Sequence, residues 1–374
     1  MMDTSAPITV VGAGPSGLAS AIVLARAGKK VVVRESHKSV GARFHGDFQG
    51  LENWSVKTDV LDELRDLGIT ADFPVHPILS GAAYDADGRK YEVRDEKPLY
   101  YLVRRGPGAD TLDSALLQAA DKAGADIRFG DKVERVPPDA IVATGPRRAD
   151  AIASGYIFTT DMADASHVSF DDRLAPWGYA YLLIANGIGT VAVCMFRDFK
   201  NHAVHLKEAV AYFERLTGVE MTDPKPFGGF GMLSHMTRVE RGGRLLVGER
   251  AGLQDALAGF GMRYALISGA LAARAKISGQ SYASLLNRRM RSIHRAGIVN
   301  RFVFQTLGNK RHGWALSKLS AGAARRGLRR LYGGSLLHSI LYPGVAWRYA
   351  ARLNHPGCDH IDCDCPWCRM QGVH

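Results

Sequence analysis

The chain has 374 residues, of which 46% are hydrophobic and 23% charged, a globular composition with room for one large domain or two interleaved ones. The first predicted strand begins near Ile8, which leaves no room for a secretory signal peptide and argues against export. Five cysteines in such a chain do not indicate a secreted disulfide framework. We therefore expect a cytoplasmic protein.

The net charge of +11 is carried by one segment. Residues 256–357 contain no Asp or Glu and hold 17 of the 48 Lys and Arg residues, whereas the remainder carries 31 basic against 37 acidic residues. A one-sided positive field attracts an anionic surface. We expect a peripheral protein on the inner face of an anionic membrane. Nucleic acid is the less favoured partner, because no nucleic-acid recognition module accompanies the charge.

The N-terminal segment predicts one complete βαβ unit. A β-branched strand at Ile8–Val11 runs into a glycine-rich turn at residues 12–17, and a helix follows from residue 18 to about residue 27. Gly28 ends that helix as a C-terminal cap. The apolar run at residues 31–33 is typical of a strand buried on both faces of a parallel sheet.

The glycine turn predicts a dinucleotide site. Gly12 permits the tight turn, Gly14 lets the backbone approach a pyrophosphate, and Gly17 lets the helix pack close to the strand. The pyrophosphate then lies on the helix N-terminus. Glu35, at the end of the next strand, is placed to accept hydrogen bonds from both adenosine ribose hydroxyls, which disfavours NADP here. The predicted contacts of the turn are Gly12, Gly14, Pro15, Ser16 and Gly17.

The remaining elements follow from hydrophobic periodicity, caps and turn residues. Residues 42–54 are expected to be a loop, and residues 85–88 the turn of a hairpin within short strands at 73–103. Further helices are predicted at residues 58–67, 111–123, about 205–216 and about 261–275. Further strands are predicted at residues 127–129, 140–144, 179–184, 189–196 and 244–248. From residue 281 onward the chain reads as helical, basic and aromatic.

Four segments together resemble the flavoproteins related to geranylgeranyl reductase, within the p-hydroxybenzoate hydroxylase-like superfamily. They are residues 12–35, the Arg104–Arg105 pair, residues 141–145, and Gly248-Glu249 running into Gly259-Phe260-Gly261. The resemblance spans roughly residues 8–275 and implies FAD as the cofactor. It also implies an α/β fold: a Rossmann-like FAD-binding domain interleaved with a mixed β-sheet substrate domain, plus a helical C-terminal region.

By this resemblance, Glu249 stands where the family has an Asp that holds the ribityl chain of FAD. Gly259 and Gly261 open a helix whose N-terminus faces the flavin pyrimidine, where a helix dipole stabilises negative charge. Arg105 is expected near the cofactor phosphates. The other cofactor residues implied are Arg43, Thr144, Gly145 and Gly248.

The domain boundaries follow from the same comparison of motifs. Residues 1–72, 100–154 and 236–280 are expected to form the FAD-binding domain. Residues 73–99 and 155–235 form the substrate domain, residues 281–355 a basic helical region, and residues 356–374 a Cys-rich tail.

The segment at residues 176–181 resembles the Pro-x-x-Tyr-x-Trp element that lines a lipid tunnel in geranylgeranyl reductases. Tyr179 and Tyr181 fall on one face of a strand together with Leu183. They are candidates for a catalytic pocket wall, and ordinary sheet packing is the alternative. His45 is a candidate proton donor at the flavin face, and a loop histidine without a catalytic role is the favoured alternative. Cys194 is expected to be a small buried hydrophobe.

The basic tail predicts an interfacial helix and a metal site. Arg325, Arg326, Arg329 and Arg330 recur at helical spacing around leucines, which is typical of an amphipathic helix lying on an anionic membrane. Cys358, Cys363, Cys365 and Cys368 lie close enough in sequence to bind zinc or an iron–sulfur cluster, with His355 and His360 as alternative ligands. A metal-free tail is the third reading.

These features favour a membrane-associated FAD-dependent enzyme that reduces or dehydrogenates an apolar isoprenoid or lipid chain by hydride transfer at flavin N5. No second glycine motif accompanies the first, so electrons are expected from NAD(P)H or from a reduced protein donor. The alternatives are a monooxygenase of an apolar substrate and an electron-transfer flavoprotein linked to quinone.

Overall fold

A computed structural model describes residues 6–146, 149–232, 239–320 and 322–348. Its helices are α1 Pro15–Arg26, α2 Val60–Asp66, α3 Leu112–Lys122, α4 His202–Thr217, α5 Met262–Ser278, α6 Tyr282–Leu307, α7 Asn309–Ser320, α8 Ala324–Tyr332 and α9 Leu336–Arg348. Its strands are β1 Ile8–Val11, β2 Val31–Glu35, β3 Phe48–Glu52, β4 His76–Ile78, β5 Ser80–Tyr84, β6 Lys90–Arg94, β7 Tyr100–Arg104, β8 Asp126–Phe129, β9 Ile141–Val142, β10 Ala151–Thr159, β11 Ala165–Ser169, β12 Tyr179–Ala185, β13 Ile188–Met195, β14 Thr222–Gly231, β15 Glu240–Arg241 and β16 Arg244–Leu246.

The first sheet confirms the predicted βαβ unit. Within the described residues its strand order is β15-β16-β9-β1-β2-β8, and every pair except β15–β16 is parallel. Val10, Val33 and Ile141 face one another across the ladder and are fully buried, as β-branched residues in a two-face-covered sheet should be. Helices α1 and α5 pack closely, and the Ser20 hydroxyl donates to the Gly269 carbonyl at 3.0 Å.

The second sheet has the order β14-β10-β13-β12-β11-β5-β6 in the part of the chain that the structure describes. It is antiparallel except where β11 pairs with β5. Strand β12 alternates by the two-residue period, so Leu182 and Ile184 pack against α4. Tyr181 and Leu183 point to the opposite face. That face is the one that forms the wall of the site.

A small third sheet of β3, β7 and β4 lies between the two larger ones. The expectation of a loop over residues 42–54 was therefore wrong for β3, which pairs in register with β7. Phe48 and Leu102 from this sheet pack against Leu183 of the second sheet. The three sheets are thus joined by apolar contacts rather than by a linker.

The C-terminal helices pack onto the body of the protein. The Tyr282 hydroxyl of α6 donates to the Leu246 carbonyl at 3.0 Å, and both α7 and α8 contact β6. The prediction that α8 lies on a membrane needs correction, because its leucines Leu328 and Leu331 pack on the core and face the interior. Arg325 of the same helix is buried and donates to the Asn53 carbonyl at 2.8 Å. No helix among the described residues is long and apolar enough to cross a bilayer.

Candidate active site

The glycine turn after β1 is shaped by two close approaches. Gly12 has φ +101°, and a Cβ there would lie 2.5 Å from the Ala143 carbonyl oxygen. A Cβ on Gly17 would lie 2.0 Å from the Gly12 carbonyl oxygen. Gly14 differs, because the nearest atom to a Cβ built there is 4.0 Å away. Gly12 and Gly17 are therefore required by the fold itself, whereas Gly14 leaves open space at the N-terminus of α1 that suits a pyrophosphate.

Glu35 is held beside this turn by backbone donors. One carboxylate oxygen accepts the Ala13 N–H at 2.7 Å, and the other accepts the His37 N–H at 2.8 Å. Burial alone would raise the pKa of Glu35, but the hydrogen bonds from His37 and Ala13 outweigh it and lower the pKa. Glu35 is therefore ionised at neutral pH, which makes it a strong acceptor for ribose hydroxyls.

Two arginines predicted to contact the cofactor have different surroundings. The Arg105 guanidinium makes two hydrogen bonds to the buried Asp113 of α3, at 2.8 and 2.9 Å, and stacks on Phe44 with 4.1 Å to the ring centroid. Arg43 contacts the Glu249 carboxylate at 3.3 Å and the Phe230 carbonyl at 2.8 Å. Asp113 thus fixes Arg105 through two short hydrogen bonds, whereas the contact of Arg43 with the Glu249 carboxylate is longer and weaker.

Glu249 follows Gly248 at the end of β16 and is the acid predicted for the ribityl chain. It accepts the Met232 N–H at 2.9 Å. Burial raises its pKa, and the charge of Arg43 and the Met232 hydrogen bond lower it less than burial raises it. The added methylene relative to Asp therefore still leaves a carboxyl group at the wall of the site.

One cavity of about 910 Å³ joins most of the predicted residues. Gly17 and Gly248 lie behind its wall, and a Cβ on Gly248 would lie 2.8 Å from the Ser16 hydroxyl. The N-termini of α1 and α5 both open on this cavity, so both helix dipoles favour negative charge there. The predicted residues that line it are Gly12, Gly14, Pro15, Ser16, Glu35, Arg43, Arg105, Thr144, Gly145, Tyr179, Tyr181, Glu249, Gly259 and Gly261.

His45 is placed differently from the expectation. Its side chain is exposed and does not line the cavity; only its backbone N–H points inward, to the Asp47 carboxylate at 3.1 Å. Asp47 is buried and does line the cavity. The turn at Gly46 directs the side chain of Asp47 inward and leaves the histidine outside. Sequence reasoning missed Asp47, although an acid directly before a buried strand was a usable signal.

Tyr179 and Tyr181 stand side by side on β12 with their ring centroids 6.1 Å apart. The Tyr179 hydroxyl donates to the Ala258 carbonyl at 2.5 Å. Burial raises the pKa of both phenols well above the ordinary value; Cys194 adds to the effect at Tyr179 and the Asp47 charge adds to it at Tyr181. Both side chains therefore keep their protons at any physiological pH and can donate hydrogen bonds into the cavity.

A buried carboxyl that the sequence did not reveal lies beside the same cavity. Asp255 accepts the Tyr332 hydroxyl at 2.8 Å and the N–H groups of Leu257 and Ala258 at 3.0 Å each. Burial raises its pKa to about 6, against the lowering effect of these donors. Tyr332 itself lines the cavity, so this pair places a proton-holding group next to the apolar end.

The apolar end of the cavity is walled by the C-terminal helices. Trp54 lines the same end and packs edge-on against Phe260, with ring centroids 4.8 Å apart, and its ring centroid lies 5.9 Å from that of Tyr332 on α8. No charged residue is contributed by α6, α7 or α8 to this lining among the described residues. The helical residues that line it are Asn300, Val303, Phe304, Leu307, His312, Trp314, Ala315, Leu316, Leu319, Leu328, Leu331 and Tyr332.

The cysteines proposed as metal ligands, Cys358, Cys363, Cys365 and Cys368, lie outside the described residues. Within the described ranges, no group of three or more His, Cys, Asp or Glu side chains is arranged to hold a metal ion. Cys194 is a free thiol that is half-buried and lines the cavity, so it differs from the expected fully buried hydrophobe. Burial raises the pKa of this thiol.

The groups at the polar end fit FAD. The space over Gly14 and the ionised Glu35 suit the adenosine diphosphate half, and the second helix N-terminus at Gly261 suits a flavin ring that gains negative charge. Residues 5–149 match the family model described as the FAD binding domain.

Known proteins extend this likeness at two levels. A thiamine thiazole synthase of Methanococcus maripaludis is 45% identical over 65 residues, which are 17% of this chain and 25% of that protein. This chain thus matches a quarter of the length of that relative. A menaquinone reductase of Mycolicibacterium smegmatis is 26% identical, covering 74% of this chain and 78% of the reductase.

The structural likeness covers the whole body of the molecule. A geranylgeranyl bacteriochlorophyll reductase-like protein from Thermoplasma acidophilum has a TM-score of 0.70, with 19% identity, 91% of this chain and 98% of that chain covered. A structural similarity of this size at so low a sequence identity shows a shared fold. It confirms the expected two-part α/β architecture with its helical C-terminal region.

Proposed function

We propose that this chain, which shares the fold of a geranylgeranyl bacteriochlorophyll reductase-like protein, is a FAD-dependent oxidoreductase that reduces or dehydrogenates an apolar isoprenoid or lipid chain at a membrane surface. The observation that carries the proposal is the continuity of one cavity. Its polar end is built for a dinucleotide, and its other end is walled by aliphatic and aromatic side chains. An extended apolar molecule fits such an end better than a polar one.

Different residues of the protein would hold different parts of the cofactor and substrate along this cavity. Gly14 and the N-terminus of α1 would hold the pyrophosphate, Glu35 the ribose, and Glu249 the ribityl chain. Bound FAD supplies hydride transfer at its N5 atom. The apolar walls exclude water and align the chain of the substrate. These contacts bind and orient, which is what a protein contributes when a cofactor carries the chemistry.

A proton must accompany hydride transfer to a C=C bond, and the cavity offers protonated groups for it. Tyr179 and Tyr181 keep their hydroxyl protons, and Asp47 lies near enough to Tyr181 for its charge to act on that phenol. The Asp255–Tyr332 pair is the second source, on the side of the C-terminal helices. Tyr181 is our first choice, because it lines the cavity from the sheet that carries the pocket-wall motif.

The names of two similar proteins support the substrate class. One is a menaquinone reductase, and the other is a geranylgeranyl bacteriochlorophyll reductase-like protein. We propose an isoprenoid-bearing substrate for this chain on the strength of these names together with the apolar end of the cavity.

The decisive experiment follows the oxidation state of the flavin. Protein that retains FAD is reduced without oxygen, and acceptors with isoprenoid tails of increasing length are mixed with it while the flavin absorbance is recorded. We expect faster reoxidation as the tail lengthens. The Leu328→Trp variant, which fills the apolar end, should lower the rate with long tails about tenfold. Leu216→Trp on the exposed side of α4 is the matched control.

Three outcomes would contradict the proposal. A preparation that neither retains nor takes up FAD would end it. A rate that ignores tail length would remove the isoprenoid class. Oxygen consumed in step with NAD(P)H, with an oxygenated product, would instead identify a monooxygenase.

The electron source is proposed as NAD(P)H or a reduced protein donor, since the sequence offers one glycine motif only. We propose the four tail cysteines as ligands of zinc or of an iron–sulfur cluster that would pass electrons to the flavin. Metal and sulfide analysis of protein purified without oxygen distinguishes these, and a metal-free tail excludes both.

A further inference from the structure

Among the described residues, helix α9 has one face packed against α6 and one face exposed. Tyr342 and Val345 pack against Ile298 and Val299 of α6, forming a small apolar cluster. The opposite face carries large apolar side chains in solvent: Leu336 is 78% exposed, Ile340 66% and Trp347 72%, with Leu337 and Leu341 beside them. Neighbours four residues apart share a helix face, so these side chains form one contiguous patch. A patch of this kind on an otherwise polar surface marks an interaction site.

The charge around α9 indicates which kind of partner its exposed face would bind. Residues 256–357 contain no acidic residue, so the helices on this side present only cations. On the packed side of α9, the Arg295 guanidinium lies 4.7 Å from the Tyr342 ring centroid, and the charge of Arg291 also acts on that tyrosine. An exposed apolar face that includes a tryptophan, on a helix packed against a segment with basic and no acidic residues, matches a surface of anionic phospholipids.

The length of α9 sets the mode of binding. The helix has 13 residues, whereas about twenty are needed to span a bilayer. It can therefore lie in the interface but cannot cross the hydrocarbon core. Helix α8 was the sequence-based candidate for this role. Its leucines line the cavity instead and do not face lipid.

Two residues that line the cavity are also exposed at the surface, and one of them directly follows a residue of the α9 cluster in sequence. Phe302 of α6 packs against the α9 cluster, and the next residue, Val303, lines the cavity while remaining partly exposed. Trp314 of α7 also lines the cavity and is 65% exposed. A helix docked on a bilayer would thus hold an apolar opening against the lipid.

We propose that α9 is the membrane-docking helix of this protein and that its occupant is an anionic phospholipid bilayer surface. Docking places the Val303–Trp314 opening where an apolar substrate can pass from the lipid into the cavity. This substrate route rests on the proposed function, whereas the docking itself rests only on the exposed face and its charge.

The test is co-sedimentation of the FAD-loaded full chain with phosphatidylcholine vesicles, with and without phosphatidylglycerol. We expect binding to the anionic vesicles that weakens at high salt. The Ile340→Glu/Trp347→Glu double variant should lower the partition coefficient about tenfold or more. Val204→Glu on α4, at a position that is 61% exposed, is the matched control and should bind like the parent. Retained FAD and an unchanged circular dichroism spectrum establish that each variant is folded.

The proposal is overturned if the double variant binds as the parent does, or if neutral vesicles bind the parent equally well. It is also overturned if the parent is a dimer and the double variant a monomer, since a second copy would then be the occupant. Turnover of a short soluble acceptor in detergent keeps the two proposals apart. Its absence in every variant would contradict the enzymatic function, whereas its presence without vesicle binding would contradict only the docking.

Discussion

Two glycines of the dinucleotide turn meet different structural demands in this chain. Gly12 is needed by the backbone, because its φ is +101° and a Cβ would meet Ala143 at 2.5 Å. Gly14 is free of such contacts within the protein. The residue type at Gly14 therefore matters only once a ligand is bound.

We predict that Gly14→Ala folds with parental stability but lowers FAD affinity about tenfold or more, because its methyl group occupies the pyrophosphate approach. Gly12→Ala should lower the free energy of unfolding without FAD by about 2 kcal/mol or more. Quenching of FAD fluorescence and urea unfolding measure the two quantities. Gly322→Ala, which meets no atom within 4 Å, should change neither. Equal destabilisation by both turn variants would contradict this division.

Asp255 gives the protein a defined pH dependence. Its pKa is about 6 when folded, because of burial, and about 3.9 when unfolded. The folded state therefore binds more protons between these values, and the stability contributed by the neutral carboxyl is lost as pH rises through about 6. We predict that this loss amounts to about 3 kcal/mol. Urea unfolding of the parent and of Asp255→Asn, at pH steps across this window, should show a flatter profile for the variant.

Comparing the pH profiles of the parent and of Asp255→Asn also controls for other titrating groups. Glu35, whose pKa is lowered, contributes stability in the opposite direction, so only the difference between parent and variant isolates Asp255. Parallel profiles would show that Asp255 does not titrate in this window.

At the scale of elements, a buried charge cluster ties α5 to its neighbours. Arg263 of α5 bonds to Glu63 of α2 at 2.6 and 2.9 Å and lies 3.3 Å from Glu52 of β3. Arg289 of α6 reaches the other oxygen of Glu63 at 2.5 Å. Two carboxylates and two guanidinium groups thus hold α5, α2, β3 and α6 together.

We predict that Arg263→Met lowers the free energy of unfolding by about 3–5 kcal/mol, because it leaves the buried Glu52 without its cation and the buried Glu63 with Arg289 alone. Arg289→Met should cost about 1 kcal/mol or less, since Arg289 is almost half exposed. Adding Glu63→Gln to Arg263→Met should recover part of the loss. Denaturant titration measures all three, and a double variant less stable than Arg263→Met alone would refute the charge argument.

The sequence predicted those elements whose residue pattern depends on neighbours close in the chain. Strand β1, the glycine turn and α1 depend on contacts within thirty residues, and so they were predictable. Strand β14 was missed because it is an exposed edge strand rich in glycine and proline, where burial imposes no alternation. The leucines of α8 were assigned to lipid because their buried partners lie far away in sequence. Asp255 escaped for the same reason, since Tyr332 lies 77 residues from it.

At the scale of the whole molecule, the cavity takes its walls from both large sheets and from the C-terminal helices. A ligand that fills it should therefore stabilise the molecule as one unit. We predict a single unfolding transition, seen alike by tryptophan fluorescence and circular dichroism. FAD at a hundred times its Kd should raise the free energy of unfolding by about 2.7 kcal/mol. Two transitions, of which FAD moves only one, would show that the sheets unfold separately.

The two ends of the cavity come from different parts of the chain, the polar end from the glycine turn and Glu249, the apolar end largely from helices α6 to α8. Mutations in those helices can lengthen, shorten or reshape the apolar compartment while every contact to the nucleotide stays intact. Descendants of such a protein could acquire new substrates by small steps without ever passing through a form that had lost its flavin.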